Sequence, residues 1–421
     1  MSASLHYDVV VLGVGVAGLT AATRLAEGGA RVCVLAKGVG STHLAPGTVD
    51  VLGYAPERVT KPAAALPDFV AMYPDHPYAL VGADAIAPAL QWFAARVERG
   101  PQPAYGYRGD LQRNHLLPTA LGAIRPSALV PKTMAGGELS AATPACVVGI
   151  RVLRDFHASL CAGNLRRAGI PCRAIEVDVD VGRVEANALG LARRFDDASF
   201  RAAFAARLAL LLRPGERVGL PAVLGLRDPH GAWLDLQHRL GRPVFEIPTL
   251  PPSVGGIRVY DALRAALRAA GGRLVLGAEV VGVGREGEHI RAVRAHTSGH
   301  DTIYEASWVV LATGGLHSGA IELRSDWSAH ETILGLPLHG VPTAGQPRFG
   351  GDYFGPQPIS RIGVAVDASL LARETDNVFV AGAALPGAEP WREGSGEGIA
   401  LASGYFVAQA VLEREGAISA A

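Results

Sequence analysis

The sequence predicts an α/β fold, in which a Rossmann-like nucleotide-binding domain with a parallel sheet is interrupted by an inserted α/β second domain. Three observations lead to this prediction. A buried strand, a glycine-rich turn and a helix occupy residues 7–27. A second buried strand, residues 308–311, ends in small residues, and a third, residues 377–382, precedes a glycine-rich turn and a long helix. The order of these elements predicts one nucleotide-binding sheet built from both ends of the chain.

Composition limits the class of protein. Hydrophobic residues make up 49% of the 421 residues and charged residues 19%, which excludes an intrinsically disordered chain. The 39 Lys and Arg residues balance the 39 Asp and Glu residues. A neutral chain has no overall field that attracts DNA, RNA or anionic lipid, so we expect no nucleic-acid partner.

The cysteine pattern and the hydropathy pattern argue against a metal cluster and a membrane span. Cys33, Cys146, Cys161 and Cys172 stand apart, with no Cys-x-x-Cys pair, and no Cys/His group has zinc-ligand spacing. We therefore expect free thiols in a reducing cytoplasm, no metal, and no iron–sulfur cluster held by this chain alone. The first residues do not resemble a signal peptide, and no stretch reaches about 18 apolar residues.

The N-terminal turn has the dinucleotide-binding pattern. A strand over residues 7–12 and a helix over residues 19–27 flank it, and a second strand follows at residues 31–35. The first glycine of the pattern allows a tight turn, the second admits a pyrophosphate and the third lets helix and strand approach. The positive end of the helix faces the phosphates. The residues of the turn are Gly13, Val14, Gly15, Val16, Ala17 and Gly18.

The end of the second strand leaves two cofactors open. It ends in Ala36 and Lys37 and not in the usual acidic residue. Lys37 could pair with the 2′-phosphate of NADP, or the corner could belong to a FAD site of the fumarate reductase type. The loop that follows, with Ser41, Thr42 and His43 and then Gly47, favours FAD, because similar loops in that superfamily run along the pyrophosphate towards the flavin.

The middle of the chain is expected to be an insertion. Residues 56–112 are rich in proline, with one helix-like stretch at 83–98. A strand–helix–strand unit at residues 146–177 lacks the glycine pattern, so we interpret it as scaffold. The predicted division is 1–60 for the first part of the FAD-binding domain, 61–249 for the inserted substrate or partner domain, and 250–421 for the return part.

The last third of the chain returns to the nucleotide-binding pattern. A helix is predicted at residues 258–270, followed by short strands and the buried strand at 308–311. Small residues after such strands let a nucleotide lie against the sheet, and a helix N-terminus at the flavin would stabilise negative charge. The order of these elements favours FAD over NAD(P) alone. The residues predicted to bind it here are Val280, Ala312, Thr313, Gly314, Gly315, Gly382, Ala383, Gly396, Gly398 and Ile399.

Short motifs along the whole chain resemble a known family. They include His43-x-x-x-Gly47-x-x-Asp50-x-Leu52, His76-Pro77-Tyr78, and the stretches at residues 147–156, 250–258 and 351–358. On these residues the chain resembles the B subunit of anaerobic glycerol-3-phosphate dehydrogenase.

The resemblance implies a flavin subunit that works with a second flavoprotein subunit and an iron–sulfur, membrane-associated subunit. It implies oxidation of sn-glycerol 3-phosphate to dihydroxyacetone phosphate, with electrons passed to quinone in anaerobic respiration. The family is usually assigned FMN. Because FMN has no adenylate to lie on Gly13–Gly18, the fingerprint favours FAD, with FMN as the alternative.

Two departures affect the expected substrate site. Related flavoproteins place Asp or Glu where this chain has Ala383, and the loop around Arg392 looks closer to that of fumarate reductases. A dehydrogenase needs a base near the alcohol and cations for an anionic substrate. His43 is the candidate for the base or a flavin contact, and Arg258, Arg361 and Arg392 are candidates for anion binding. Each could instead be structural.

Three functional hypotheses remain open at this point. The first is a dehydrogenase acting on a small anionic substrate with a CH–OH group. The second is an electron-transfer or assembly flavoprotein whose partner oxidises the substrate. The third is a stand-alone FAD-dependent reductase of the fumarate or ketone type. In each we expect the chain in the cytoplasm or, through partner subunits, at the inner face of the cell membrane, without its own membrane span.

Overall fold

The computed structural model describes residues 4–140, 143–182, 186–343 and 345–420. Its strands, numbered in chain order, are β1 Ser4–Leu12, β2 Val32–Ala36, β3 Tyr107–Arg108, β4 His115–Pro118, β5 Ile124–Ser127, β6 Val130–Pro131, β7 Ala145–Ile150, β8 Cys172–Val177, β9 Arg217–Pro221, β10 Val244–Ile247, β11 Arg273–Leu276, β12 Glu279–Glu286, β13 His289–Thr297, β14 His300–Leu311, β15 Ile321–Leu323, β16 Ala329–Glu331, β17 Leu338–His339, β18 Gly363–Val364 and β19 Val378–Val380.

The helices connect these strands and cover their faces. In chain order they are α1 Val16–Glu27, α2 Pro62–Met72, α3 Pro77–Val81, α4 Ile86–Glu98, α5 Lys132–Ala135, α6 Ala158–Arg167, α7 Ala188–Phe195, α8 Ala198–Ala209, α9 Pro229–Leu240, α10 Val254–Ala269, α11 Pro390–Glu393 and α12 Gly396–Ala420.

A seven-stranded sheet joins the two ends of the chain. Its order is β11-β2-β1-β14-β13-β12, and β19 lies beside the second half of β14. The strands β11, β2, β1, β14 and β19 are parallel, whereas β12 and β13 form an antiparallel hairpin on β14. The carboxyl ends of β1, β2, β14 and β19 therefore meet at one edge, called the carboxyl edge below. This arrangement confirms the predicted α/β fold with a parallel sheet.

Small residues allow the helices to approach this sheet. A side chain at Gly18 would overlap the carbonyl of Gly13, so only glycine lets α1 lie this close to the turn after β1. A side chain at Gly404 would likewise meet the backbone of Ala17, which brings α12 against α1. The apolar residues Ala21, Ala22 and Leu25 of α1 are fully buried. The close contact places the N-termini of both helices near the carboxyl edge.

A second, smaller lobe has its own parallel sheet. Its order is β10-β9-β7-β8, with all neighbours parallel, and α6 connects β7 to β8. Three phenylalanines, Phe195, Phe200 and Phe204, pack edge to face in its core. The expected strand–helix–strand unit at residues 146–177 is thus present and forms part of the scaffold of this lobe.

The boundary between the lobes differs from the expected one at residue 61. The larger core includes Leu66, Phe69 and the apolar face of α4, down to Tyr105. The smaller core begins with Ala120 and continues from Leu139 to Val254. Residues 61–111 thus belong with the nucleotide-binding lobe, since α4 packs against α10 and α12.

The proline-rich stretch is more regular than the sequence predicts. It contains α2 and α3 in addition to α4. Pro62 and Pro77 occupy first-turn positions of their helices, where the missing N–H costs nothing, so these prolines begin helices and do not break them.

Candidate active site

The three fingerprint glycines differ in what surrounds them. Gly13 has φ +107°, and a side chain there would collide with the carbonyl of Ala312. Gly18 allows the close helix contact described above. A Cβ at Gly15, by contrast, would meet no described atom within 4 Å. The open side of Gly15 is therefore a space that the described residues leave for a ligand.

The N-terminus of α1 is available to an anion. Its N-cap is Gly15, no side chain caps it, and its first turn contains no acidic residue. The free N–H groups and the positive end of the helix favour a phosphate group at this place. Gly15 and the α1 N-terminus together fit a pyrophosphate.

Buried polar atoms without a protein partner lie at the same edge. Thr42, in the short 3₁₀ turn Ser41–Leu44, is 3% exposed and its Oγ1 has no hydrogen-bond partner among the described residues. Thr313 Oγ1, just after β14, is also buried without one. An unpaired buried hydroxyl costs free energy, so both atoms are available to form hydrogen bonds with a bound group.

The end of β2 provides an acidic group that sequence reasoning missed. Lys37 Nζ lies 2.7 Å from Glu279 Oε1 at the start of β12, and both side chains are exposed. Ala278 also donates a backbone hydrogen bond to Ala36. Glu279 therefore puts a carboxylate at the end of β2, where the sequence of β2 itself has none. No local pattern signals it, because the two strands are far apart in sequence.

The remaining predicted cofactor residues converge on the carboxyl edge. A side chain at Gly315 would meet the carbonyl of Ala383, and one at Gly382 would meet Ala17. The Gly382 N–H donates to Ser403 Oγ of α12 at 2.9 Å, which ties the end of β19 to that helix. The structure thus brings together Gly13–Gly18, the 41–47 loop, the turn after β14, the turn after β19 and the start of α12.

His43 is positioned as a neutral imidazole. Its ring packs edge-on against Tyr260 with centroids 4.8 Å apart, and its Nε2 is buried without a partner among the described residues. Burial lowers the pKa of His43, Asp261 opposes this effect and Arg264 adds to it. A histidine that is neutral near pH 7 can accept a proton from a bound hydroxyl group.

The structure corrects the expected anion-binding role of Arg258. Its side chain is 0% exposed and forms two hydrogen bonds with the Glu246 carboxylate, at 2.6 and 3.0 Å, and two with the Gly225 carbonyl. Burial opposes the charge, but Glu246 outweighs it and raises the pKa of Arg258. The guanidinium is occupied in holding α10 to the second lobe, so it is not available to a substrate anion.

Arg392 belongs to the segment between β19 and α12, in α11, and Arg361 contacts the same segment. Arg361 Nε donates to the Gly387 carbonyl at 3.0 Å, and its guanidinium lies 5.0 Å from the Tyr73 ring centroid. Arg392 Nη1 lies 3.5 Å from Glu389 Oε2 and retains 30% exposure. Each side chain keeps donors that these contacts leave free, so both remain candidates for binding an anion.

A buried histidine fixes the loop that carries Arg392. The His76 side chain is 0% exposed; its Nδ1 accepts from the Tyr78 N–H, so Nε2 carries the hydrogen that faces Glu393 Oε2 at 3.1 Å. Ser395 Oγ donates to the same carboxylate at 2.7 Å. Burial raises the pKa of Glu393, but the hydrogen bonds from His76 and its neighbours outweigh that and lower it. The motif at residues 76–78 is visible in the sequence, but its partner, 317 residues away, is not.

Sequence reasoning also missed a partly buried cluster of charged residues at the start of α12. Asp50 is 2% exposed, accepts from Thr48 Oγ1 at 3.0 Å and Ser127 Oγ at 2.6 Å, and forms an ion pair with Arg125. Glu397, in the first turn of α12, lines one small cavity together with Thr42, Thr48 and other residues. Burial, with the charge of Asp50 and against that of Arg125, raises the pKa of Glu397 to about 7.

The cysteines are remote from this chemistry. Burial raises the pKa of Cys33 and Cys146 to about 11 and that of Cys161 to about 12, so these thiols are protonated at neutral pH.

Among the residues described, no group of three or more His, Cys, Asp or Glu side chains could hold a metal ion. None of the described helices combines the length and the apolar character that crossing a bilayer requires.

The family model and the related sequences place this chain among flavoproteins of one family. The model of the FAD binding domain family matches residues 8–399. The B subunit of anaerobic glycerol-3-phosphate dehydrogenase from Pectobacterium atrosepticum is 33% identical, over 97% of this chain and 99% of that protein. A Halobacterium salinarum protein named as the probable B subunit of the same enzyme is 34% identical with the same coverage. Among solved structures, E. coli quinol fumarate reductase matches with a TM-score of 0.48 and 11% identity, over 99% of this chain and 72% of that one.

Proposed function

Because the chain belongs to the family of anaerobic glycerol-3-phosphate dehydrogenase B subunits and to the FAD-binding flavoproteins, we propose that it oxidises sn-glycerol 3-phosphate to dihydroxyacetone phosphate. The family match confirms FAD as the cofactor. The substrate, the electron acceptor and the residue roles below are the proposal.

One observation carries the proposal: the open side of Gly15, the uncapped α1 N-terminus and the unpartnered atoms of Thr42, Thr313 and His43 all lie at one edge. The phosphates of FAD would lie against Gly15 and α1, with Glu279 and Lys37 near the end of β2 as partners for ribose hydroxyls. Small residues after β14 and β19, with the start of α12, would hold the flavin end. When bound, FAD supplies an acceptor for a hydride.

The chain itself would supply a base and an anion site. His43 would accept the proton of the substrate hydroxyl, because its pKa is lowered and its Nε2 has no protein partner among the described residues. Arg361 and Arg392 would bind the phosphate, since a guanidinium can donate two parallel hydrogen bonds to it. The anion would then fix the C–H group relative to the cofactor.

Electrons would leave through other subunits. The relatives are named as B subunits, which supports a multi-subunit complex for this chain. We propose a second flavoprotein subunit and an iron–sulfur, membrane-associated subunit as partners, with quinone as the acceptor. The chain would then work at the inner face of the cell membrane.

The anion site is tested at Arg392. We expect Arg392→Ala to lower kcat/KM for glycerol 3-phosphate roughly 10- to 150-fold, since a lost charge-assisted contact costs about 1.5–3 kcal/mol. Arg392→Lys should lose much of the same, because a point charge does not reproduce the two-donor geometry. Steady-state kinetics on the active complex measures this, with bound FAD determined for each variant.

The matched control for this experiment is Arg291→Ala. Arg291 is an exposed arginine paired with Glu286 in the hairpin of β12 and β13, and its removal should leave kinetics and FAD content unchanged. Unchanged efficiency in Arg392→Ala would remove Arg392 from the substrate site. It would favour a flavoprotein whose partner oxidises the substrate.

A further inference from the structure

The charged cluster at the start of α12 contains two carboxyl groups and one nearby cation. Asp50 follows the 41–47 loop, Arg125 belongs to β5, and Glu397 lies in the first turn of α12. The Gly398 N–H donates to the Asp50 carbonyl at 3.0 Å, which holds α12 beside Asp50. Asp50 and Glu397 therefore share one low-dielectric environment, in which two unpaired negative charges are unfavourable.

The hydrogen bonds decide which carboxyl group keeps its charge. Asp50 accepts hydrogen bonds from Thr48 and Ser127 and pairs with Arg125, so its carboxylate has three donors. Glu397 forms no ion pair within the part of the chain that the structure describes, and its pKa is raised to about 7 as given above. A proton added to the cluster is therefore held at Glu397.

Among the residues that the structure describes, the neighbouring tyrosines and Glu393 do not compete with Glu397 for that proton. Tyr78 on α3 donates to the Val51 carbonyl at 2.7 Å, and Tyr107 on β3 donates to the Gly47 carbonyl. Burial raises the pKa of both tyrosines well above the usual value, so they stay neutral. Glu393 is already ionised and bonded to His76. The titratable and charged groups that face Glu397 are thus Asp50, Arg125, Tyr78, Tyr107 and, beyond Tyr78, Glu393.

The small cavity beside Glu397 contains a second polar group without a protein partner among the described residues. Thr42 lines the same cavity, is 3% exposed, and has an Oγ1 without a partner among the described residues. Val16, in the first turn of α1, lines it too. The cavity therefore adjoins the fingerprint, and Glu397 is itself only partly buried.

We propose that Glu397 takes up a proton when negative charge arrives in the adjoining site, so that reduction of the bound cofactor is coupled to protonation of this carboxyl group. An added negative charge nearby makes the ionised form of Glu397 less favourable, while Asp50 keeps Arg125. The source of the negative charge is the two electrons that FAD accepts as hydride.

The coupled step balances in atoms and electrons. The identity of the hydride donor, glycerol 3-phosphate, rests on the proposed function. The alcohol loses one hydrogen with both electrons to FAD and its hydroxyl hydrogen as a proton, and becomes a ketone. The proton passes from His43 to solvent, and the Glu397 carboxylate takes one from solvent. The net result is an oxidised substrate, a reduced cofactor and a neutral Glu397.

The test is the pH dependence of the reduction potential of bound FAD, measured electrochemically without any substrate. Coupling of one proton to a two-electron reduction adds a tenfold change in the equilibrium constant per pH unit, or about 30 mV. Because Glu397 is already protonated in both redox states at low pH, the extra slope should be present only above about pH 7. In Glu397→Gln the extra slope should be absent, and in Glu397→Asp it should be retained.

The control is Glu413→Gln, an exposed residue of the same helix, which should behave as the wild type. Parallel curves for the wild type and Glu397→Gln above pH 7, both with FAD bound, would overturn the proposal. The measurement uses no glycerol 3-phosphate and is therefore independent of the proposed function. If the extra slope is present but the protein does not oxidise glycerol 3-phosphate, the proposed function is overturned and this inference stands.

If Glu397→Gln loses FAD, the proposal is tested by thermal unfolding of the FAD-free wild type and the FAD-free variant. The folded state holds the Glu397 proton more tightly than the unfolded state, whose glutamate titrates near 4.5. From about pH 4.5 to about pH 7, the wild type should therefore lose stability relative to Glu397→Gln as pH rises. A difference between the two melting temperatures that does not change with pH would overturn the proposal.

Discussion

A Gly15→Asp variant should fold normally and be purified without FAD. A side chain at Gly15 meets no described atom within 4 Å, so the fold has room for it. Aspartate is also a good N-cap residue, and α1 has no side-chain cap of its own. The new carboxylate would occupy the space of the pyrophosphate and repel it. Like charges placed together cost several kcal/mol, so FAD should bind at least about a hundredfold more weakly.

Two comparisons make this result specific to the cofactor. Gly416→Asp adds the same charge at an exposed position of α12 where no described atom lies within 4 Å, and should retain FAD. Gly18→Ala should instead lose stability in the FAD-free chain, because its methyl group would overlap the Gly13 carbonyl. Flavin absorbance per protein and the melting temperature of the FAD-free chain measure these effects. A yellow, fully loaded Gly15→Asp protein would contradict the position given to the pyrophosphate.

An Arg258→Ala variant should lose about 3–5 kcal/mol of stability, the usual cost of removing one partner from a buried ion pair. Among the described residues, the change leaves Glu246 with the Thr133 hydroxyl and the Leu224 N–H as its donors in the interface between the lobes. The variant Arg258→Met combined with Glu246→Gln should recover part of the loss, since no unpaired charge remains buried. Equilibrium unfolding in urea measures the free energy of unfolding for each variant.

The control is Arg264→Ala in the same helix. Arg264 is half-exposed and lies 3.5 Å from Asp261, a surface pair that contributes less than about 1 kcal/mol. If Arg258→Ala is as stable as the wild type but no longer oxidises glycerol 3-phosphate, then the sequence-based expectation of an anion-binding arginine is right. The structural role assigned to Arg258 would then be wrong.

The parts of the fold that the sequence predicted well are local in sequence. The strand, fingerprint and helix at residues 7–27 follow one another directly, and Gly13 and Gly18 each have a steric reason to be glycine. The family resemblance, carried by motifs along the whole chain, is confirmed by relatives that cover 97% of it. The boundary at residue 61 was wrong because prolines suggested an insertion, whereas Pro62 and Pro77 begin helices of the larger core.

The missed parts of the site depend on contacts between distant segments. Glu397 lies 347 residues from Asp50, and His76 lies 317 residues from Glu393, so no spacing in the sequence links either pair. The sequence suggests a substrate role for Arg258 because an anionic substrate requires cations. Its partners, Glu246 and the Gly225 carbonyl, come from the second lobe and become evident only once the two lobes are packed together.

FAD at the carboxyl edge is proposed to accept a hydride from glycerol 3-phosphate. The most direct measurement is anaerobic mixing of the FAD-loaded chain with sn-glycerol 3-phosphate, first alone and then with its partner subunits, while flavin absorbance is recorded. The account predicts that the chain alone bleaches and that dihydroxyacetone phosphate forms in an amount equal to the reduced FAD. A flavin that stays oxidised in both mixtures, yet is reduced by dithionite, would contradict it; bleaching only with the partners present would assign substrate oxidation to a partner.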